Sequence, residues 1–149
     1  MCALKNKLHS RGDIAANAKR ITELREHIHE TFAHRSTSRE AWIEWERACA
    51  DFRSQYDSLA FPGGYAAGLR KIQAGDAFAI EDAIAFLELR PYFFRSQYLM
   101  TKLTRLLKHV PLSAQQAERF RKVLARPKNR MPNTALVLPR PHISQSRSD

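Results

Sequence analysis

Arg95, Tyr98, Lys102, Arg105 and His109 recur at intervals of three and four residues. On a helix that spacing gathers them into one stripe. Arg119, Lys122 and Arg126 repeat the pattern one segment later. Cations at helical spacing, with almost no acid between them, are what a phosphate backbone engages, because each neutralised phosphate releases a counterion. Tyr98 adds a π-face on which a base can stack. Arg95, Tyr98, Lys102, Arg105, Arg119, Lys122 and Arg126 are therefore the candidate polyanion-binding residues. The alternative is a solvated face kept soluble by its charge, but exposed helices ordinarily interleave the two signs.

The charge distribution points the same way. The chain carries 25 Lys and Arg against 15 Asp and Glu, a formal net charge of +10. Residues 91–126 hold eight of those cations and one acid, a local +7, whereas residues 37–90 hold six against nine, a local −3. Excess charge confined to one region attracts a polyanion far better than the same charge spread evenly.

Glu23, His27, Glu30 and His34 share one arc of a helix, the materials of a metal site completed by a partner helix. They stand off the apolar stripe, and Glu/His pairs four apart are common on exposed helices. His29-Glu30-Thr31-Phe32-Ala33-His34 has one residue too many for HExxH, so no metal is expected. The glycines of Phe61-Pro62-Gly63-Gly64, followed by Arg70 and Lys71, suggest a phosphate cradle, but no Walker lysine-serine pair follows and no strand precedes. A turn explains them, with Gly68 allowing a close helix approach.

Arg90-Pro91-Tyr92-Phe93-Phe94-Arg95-Ser96-Gln97-Tyr98 mixes aromatics with arginines, a combination that stacks bases and holds phosphates. It also suits a bulky hinge between two helices, with Arg95 and Tyr98 the members left accessible. Residues 99–126 match a DNA-reading helix-turn-helix poorly: the turn at Pro111-Leu112-Ser113 lacks glycine, and only Gln115 and Gln116 face a groove. No serine or cysteine sits in a nucleophile context, so neither catalysis nor a cofactor is expected.

These residues must be positioned by helices, since no strand pattern occurs. Ile14, Ala18, Ile21, Leu24, Ile28 and Phe32 mark a first helix from about 14 to 34, with Asp13 as its N-cap. Residues 1–12 read as a loose arm. Thr37 and Glu40 form a candidate capping box for a second helix, 38–59. Its stripe of Trp42, Trp45, Cys49, Phe52, Tyr56 and Leu59 makes it the expected anchor of the fold. A short helix over 65–73 stops at Gly75. Asp76 caps the next, whose residues 78–89 are apolar nearly all round and belong in the centre of a bundle. A further helix runs to His109, burying Leu99, Leu103, Leu106, Leu107 and Val110. Ser113 and Gln116 cap the last, 114–126, which turns Ala117, Phe120 and Leu124 inward.

The expectation is an all-α, compact bundle of five to six helices: one domain over 13–127, with a disordered basic tail over 128–149. The 149 residues suffice for a buried core. No apolar run spans a bilayer and no secretory h-region follows the N-terminus, which points to the cytosol. Cys2 and Cys49 are expected to be reduced thiols.

Two functional readings follow. The first is a non-catalytic module that contacts nucleic acid or another polyanion. The second is a helical adaptor or regulator that binds an acidic protein partner, with helix 78–89 or the Trp42/Trp45 face left partly open.

Overall fold

In the computed structural model the backbone is described for residues 2–127 and the side chains for 10–127; the tail expected to be disordered lies outside the described residues. The fold is all-α. Among the described residues six helices follow one another: α1 (Cys2–His34), α2 (Arg39–Ala60), α3 (Tyr65–Gln73), α4 (Ala77–Leu89), α5 (Ser96–Leu107) and α6 (Ala114–Ala125). None of the described helices is long and apolar enough to cross a membrane.

The core is built around α4, where Ala79, Ile80 and Ala83 through Leu87 are all buried. Its packing partners are α1, α3, α5 and α6. They contribute Ile14, Ala18 and Ile21 from α1, Leu69 and Ile72 from α3, Leu99, Leu103 and Leu107 from α5, and Phe120 from α6. Fully burying each large apolar side chain contributes roughly 1.5–3 kcal/mol.

Local signals set the helix ends. The Asp76 carboxylate accepts the Ala79 N–H at 2.9 Å to start α4. Ser113 and Gln116 form the expected reciprocal capping box on α6. Gly75, at φ +81°, ends α3 in the left-handed region that glycine enters without penalty. At α2 the cap is Ser38 rather than Thr37: Ser38 Oγ accepts the Ala41 N–H at 3.0 Å. Thr37 instead donates its hydroxyl to the His34 carbonyl at 2.7 Å and closes α1.

Three further expectations are corrected. Helix α1 takes in residues 2–12, read from sequence as a loose arm, and Asp13 lies within it. Those residues include the good helix formers Ala3, Leu4, Lys5, Lys7, Leu8 and Arg11, and Gly12 alone costs only about 1 kcal/mol. The anchor is α4, not α2. Helix α2 packs chiefly on α1 and secondarily on α3, so its aromatic stripe is covered on one side and Trp42 stays 44% exposed. Ala117 and Leu124, expected inside, are exposed, leaving Phe120 as the buried anchor of α6.

Gly68 does allow a close approach, and the neighbour is the ring of buried Phe61. A Cβ at Gly68 would lie 2.3 Å from Phe61 Cδ1 and 2.7 Å from Cε1. The ring cannot swing away into solvent, so Gly68→Ala should destabilise the fold by about 1–3 kcal/mol. Urea denaturation measures this; a midpoint unchanged from wild type would show that the packing around Phe61 yields freely.

Candidate functional site

The two basic stripes meet different surroundings. On α6, Arg119 turns inward and is only 18% exposed at its side chain. Its guanidinium bridges Glu81 and Glu88 of α4, with Nε donating to Glu88 Oε1 at 3.0 Å. Gln116 Nε2 donates to Glu81 at 3.2 Å. Arg11 on α1 reaches the other Glu88 oxygen at 3.3 Å, and Arg126 donates to the Glu88 backbone carbonyl at 2.8 Å. Burial works against the charge on Arg119, but its bonds to Glu88 and Glu81 outweigh that and raise its pKa above the ordinary value. Arg119 and Arg126 thus clasp α6 to α4. Within that stripe Lys122 is exposed and enters no ion pair among the described residues.

The α5 stripe is different. Helix α5 has no acidic residue, and Arg95, Lys102 and Arg105 enter no ion pair among the described residues. Arg95 and Arg105 are exposed, Lys102 is half-buried, and Tyr98 is 63% exposed. Lys102 Nζ lies 5.9 Å from the centre of the Tyr98 ring and 5.8 Å from that of Tyr65 on α3. These are aromatic neighbours, which leave a cation's charge uncancelled.

The loop before α5 holds the rest. Arg90 and Arg95 bracket it, both in left-handed backbone at φ 48° and 66°. That conformation costs a non-glycine residue about 1–2 kcal/mol. It is held by buried Pro91 and Phe93, by the Phe93 N–H donating to Ser96 Oγ at 3.2 Å, and by Tyr56 Oη donating to the Phe94 carbonyl at 2.8 Å. Burial raises the Tyr56 pKa above its ordinary value, against the opposing positive charge of Arg95, so this hydroxyl remains a donor at neutral pH. The Phe94 ring carries Arg95 at 5.1 Å on one contact and Arg25 of α1 at 4.5 Å on another.

Arg25 lies outside the sequence stripes that mark the candidate residues. Its signal was its place four residues after Ile21 and three before Ile28, at the edge of the buried stripe, where a long cation reaches over the neighbouring helix. Two cation and aromatic groups thus flank the start of α5: Arg25 and Arg95 on Phe94, and Lys102 between Tyr65 and Tyr98. The α6 stripe stands apart from them. Helices α5 and α6 each pack on α4, and among the described residues they share no extensive contact.

The remaining candidates resolve simply. Glu23, His27, Glu30 and His34 lie exposed along α1, with His27 3.9 Å from Glu30 and Arg20 3.8 Å from Glu23. No trio of His, Cys, Asp or Glu among the described residues is arranged to hold a metal. The glycine turn before α3 is already served by a carboxylate: Asp57 Oδ1 accepts the Ala66 N–H at 3.1 Å, which occupies the positive end of the helix a phosphate would need. Cys49 is a half-buried free thiol. Three large apolar side chains, Phe32, Trp42 and Ile43, are exposed toward the connected ends of α1 and α2. Beside them the buried indole N–H of Trp45 has no hydrogen-bond partner.

No protein-family model matches the chain, and comparison with curated proteins and with solved structures finds no match.

The contrast between the stripes is measurable as stability. Arg119→Gln leaves Glu81 and Glu88 facing each other without their bridge and should cost about 1–3 kcal/mol. Arg105→Gln, at an exposed position, should stay within about 0.5 kcal/mol of wild type. Chemical denaturation of both variants checks this; equal stabilities would mean that the Arg119 bridge contributes nothing to the fold.

Proposed function

We propose that this protein is a non-catalytic binding module for nucleic acid or a related polyanion, engaged through the face formed by α5 and the loop before it. The observation that carries the reading is that α5 has no acidic residue and that Arg95, Lys102 and Arg105, at its start and along it, enter no ion pair among the described residues, whereas Arg119 of α6 is bridged to Glu81 and Glu88. Unpaired cations on one face create a positive potential that a phosphate chain relieves, with counterion release as the driving force. Lys122 adds to the field from α6, whereas Arg119 is committed to α4. The site belongs to a cytosolic protein, where the Cys49 thiol would stay reduced.

A second reading, a helical adaptor for an acidic protein, draws support from the exposed Phe32, Trp42 and Ile43 and the unsatisfied Trp45 N–H. Apolar patches of that kind commonly mark protein contacts.

Fluorescence anisotropy with a labelled oligonucleotide, repeated across a salt series, tests the first reading. The variant Arg95→Gln/Lys102→Gln/Arg105→Gln should weaken binding and reduce the log–log salt slope by roughly 2–3, about one unit per phosphate contact removed. Lys122→Gln alone should lower the slope by less than about one unit. An unchanged slope in the triple variant would remove the α5 face as the site. No oligonucleotide binding even at low salt would favour the adaptor.

A further inference from the structure

Beyond a polyanion in general, and resting on that reading, we infer that the α5 face takes single-stranded nucleic acid with its bases unstacked, rather than a duplex. Tyr92 is 76% exposed and Tyr98 63% exposed. They lie six residues apart on either side of Arg95, and Lys102 stands over the Tyr98 ring at 5.9 Å. Large rings left open to water between fixed cations have a use on a single strand. Each base offers a free π-face to a tyrosine, and the adjoining phosphate meets an arginine or lysine.

A duplex cannot use the same rings. Its bases are already stacked and paired, and a duplex-binding protein gains mainly from phosphate contacts and groove edges. The α5 side chains between the tyrosines and Arg105 include no Asn, Asp or Glu, and Gln97 is the only carboxamide. Side chains that read base edges are thus nearly missing from this stretch, while stacking groups are present.

The loop geometry supports the same choice. Tyr92 sits on a segment pinned on both sides, by buried Pro91 and Phe93 and by the left-handed turns at Arg90 and Arg95. The backbone that carries its ring is held in place, so less ordering entropy of the segment opposes stacking. From Arg95 to Arg105 the helix rises about 15 Å, which sets a footprint of only a few nucleotides.

The test compares wild type, Tyr98→Ala, Tyr92→Ala and Tyr98→Phe for binding to a labelled single-stranded DNA, its RNA counterpart and a duplex of equal phosphate number. Wild type should prefer the single strands. Each alanine variant should lose about five- to a hundredfold in single-strand affinity, the range typical for one stacked base. That loss should leave the salt slope intact, and Tyr98→Phe should restore binding because the ring is kept. Thermal melts of each variant establish that the fold is retained. Equal affinity for duplex and single strand, with no effect of either alanine, would overturn the inference while leaving the polyanion reading standing. Absence of binding to all three probes at low salt would instead remove the polyanion reading itself. RNA and DNA bound alike would support stacking and phosphate contact as the recognition; a strong RNA preference would add a 2′-hydroxyl contact to it.

Discussion

A helix that is apolar on nearly every side has to be enclosed on every side, and α4 imposes that requirement on the whole chain. From Ala79 to Leu87 only Glu81 and Asp82 interrupt its buried surface. Four other helices supply the cover, and each contributes the part of its stripe that reaches α4. The acids left on α4 then determine where polar groups lie. Glu81 and Glu88, two turns apart, receive Arg119, and Glu88 also receives Arg11. Asp82 meets α1 at Ser10, and burial raises its pKa above the usual carboxylate value although that hydrogen bond works the other way. One helix therefore settles both the core and the fate of the basic residues around it.

That sorting of cations is the step from packing to function. Eight Lys and Arg within residues 91–126 look equivalent when counted along the chain. Folded, they divide. Arg119 and Arg126 secure α6 to α4, and Arg121 pairs with Glu118 at 2.8 Å on the same helix. Arg95 and Lys102 meet aromatic rings instead, and Arg105 is exposed without an ion pair among the described residues. Attraction to a ring holds a guanidinium or ammonium in place without neutralising it. A face of that kind keeps its field while its side chains are ordered, and both properties favour binding a charged chain.

Much of the fold was legible in the sequence. The periodic apolar positions located helices α2 to α6 to within a few residues, and Asp76, Ser113 and Gly75 marked ends that the structure places there. The central place of α4 followed from its lack of a polar face. Other features were not legible because they depend on partners distant in the chain. Nothing near Arg119 in sequence announces Glu81 and Glu88, which lie 38 and 31 residues away. The aromatic stripe of α2 looked like an anchor because periodicity shows which side is apolar, not how much of it another helix covers. Helix α1 began earlier than its apolar stripe, since ordinary helix propensity carries a chain onward without a buried face.

An amide-resolved NMR titration of the protein with a short single-stranded oligonucleotide distinguishes the two basic stripes residue by residue. Binding on the α5 face should place the largest shifts on residues 92–105, with smaller ones around Tyr65 and Arg25, and leave α6 around Arg119 little changed. Shifts centred on residues 119–126, or none at all at low salt, would contradict it.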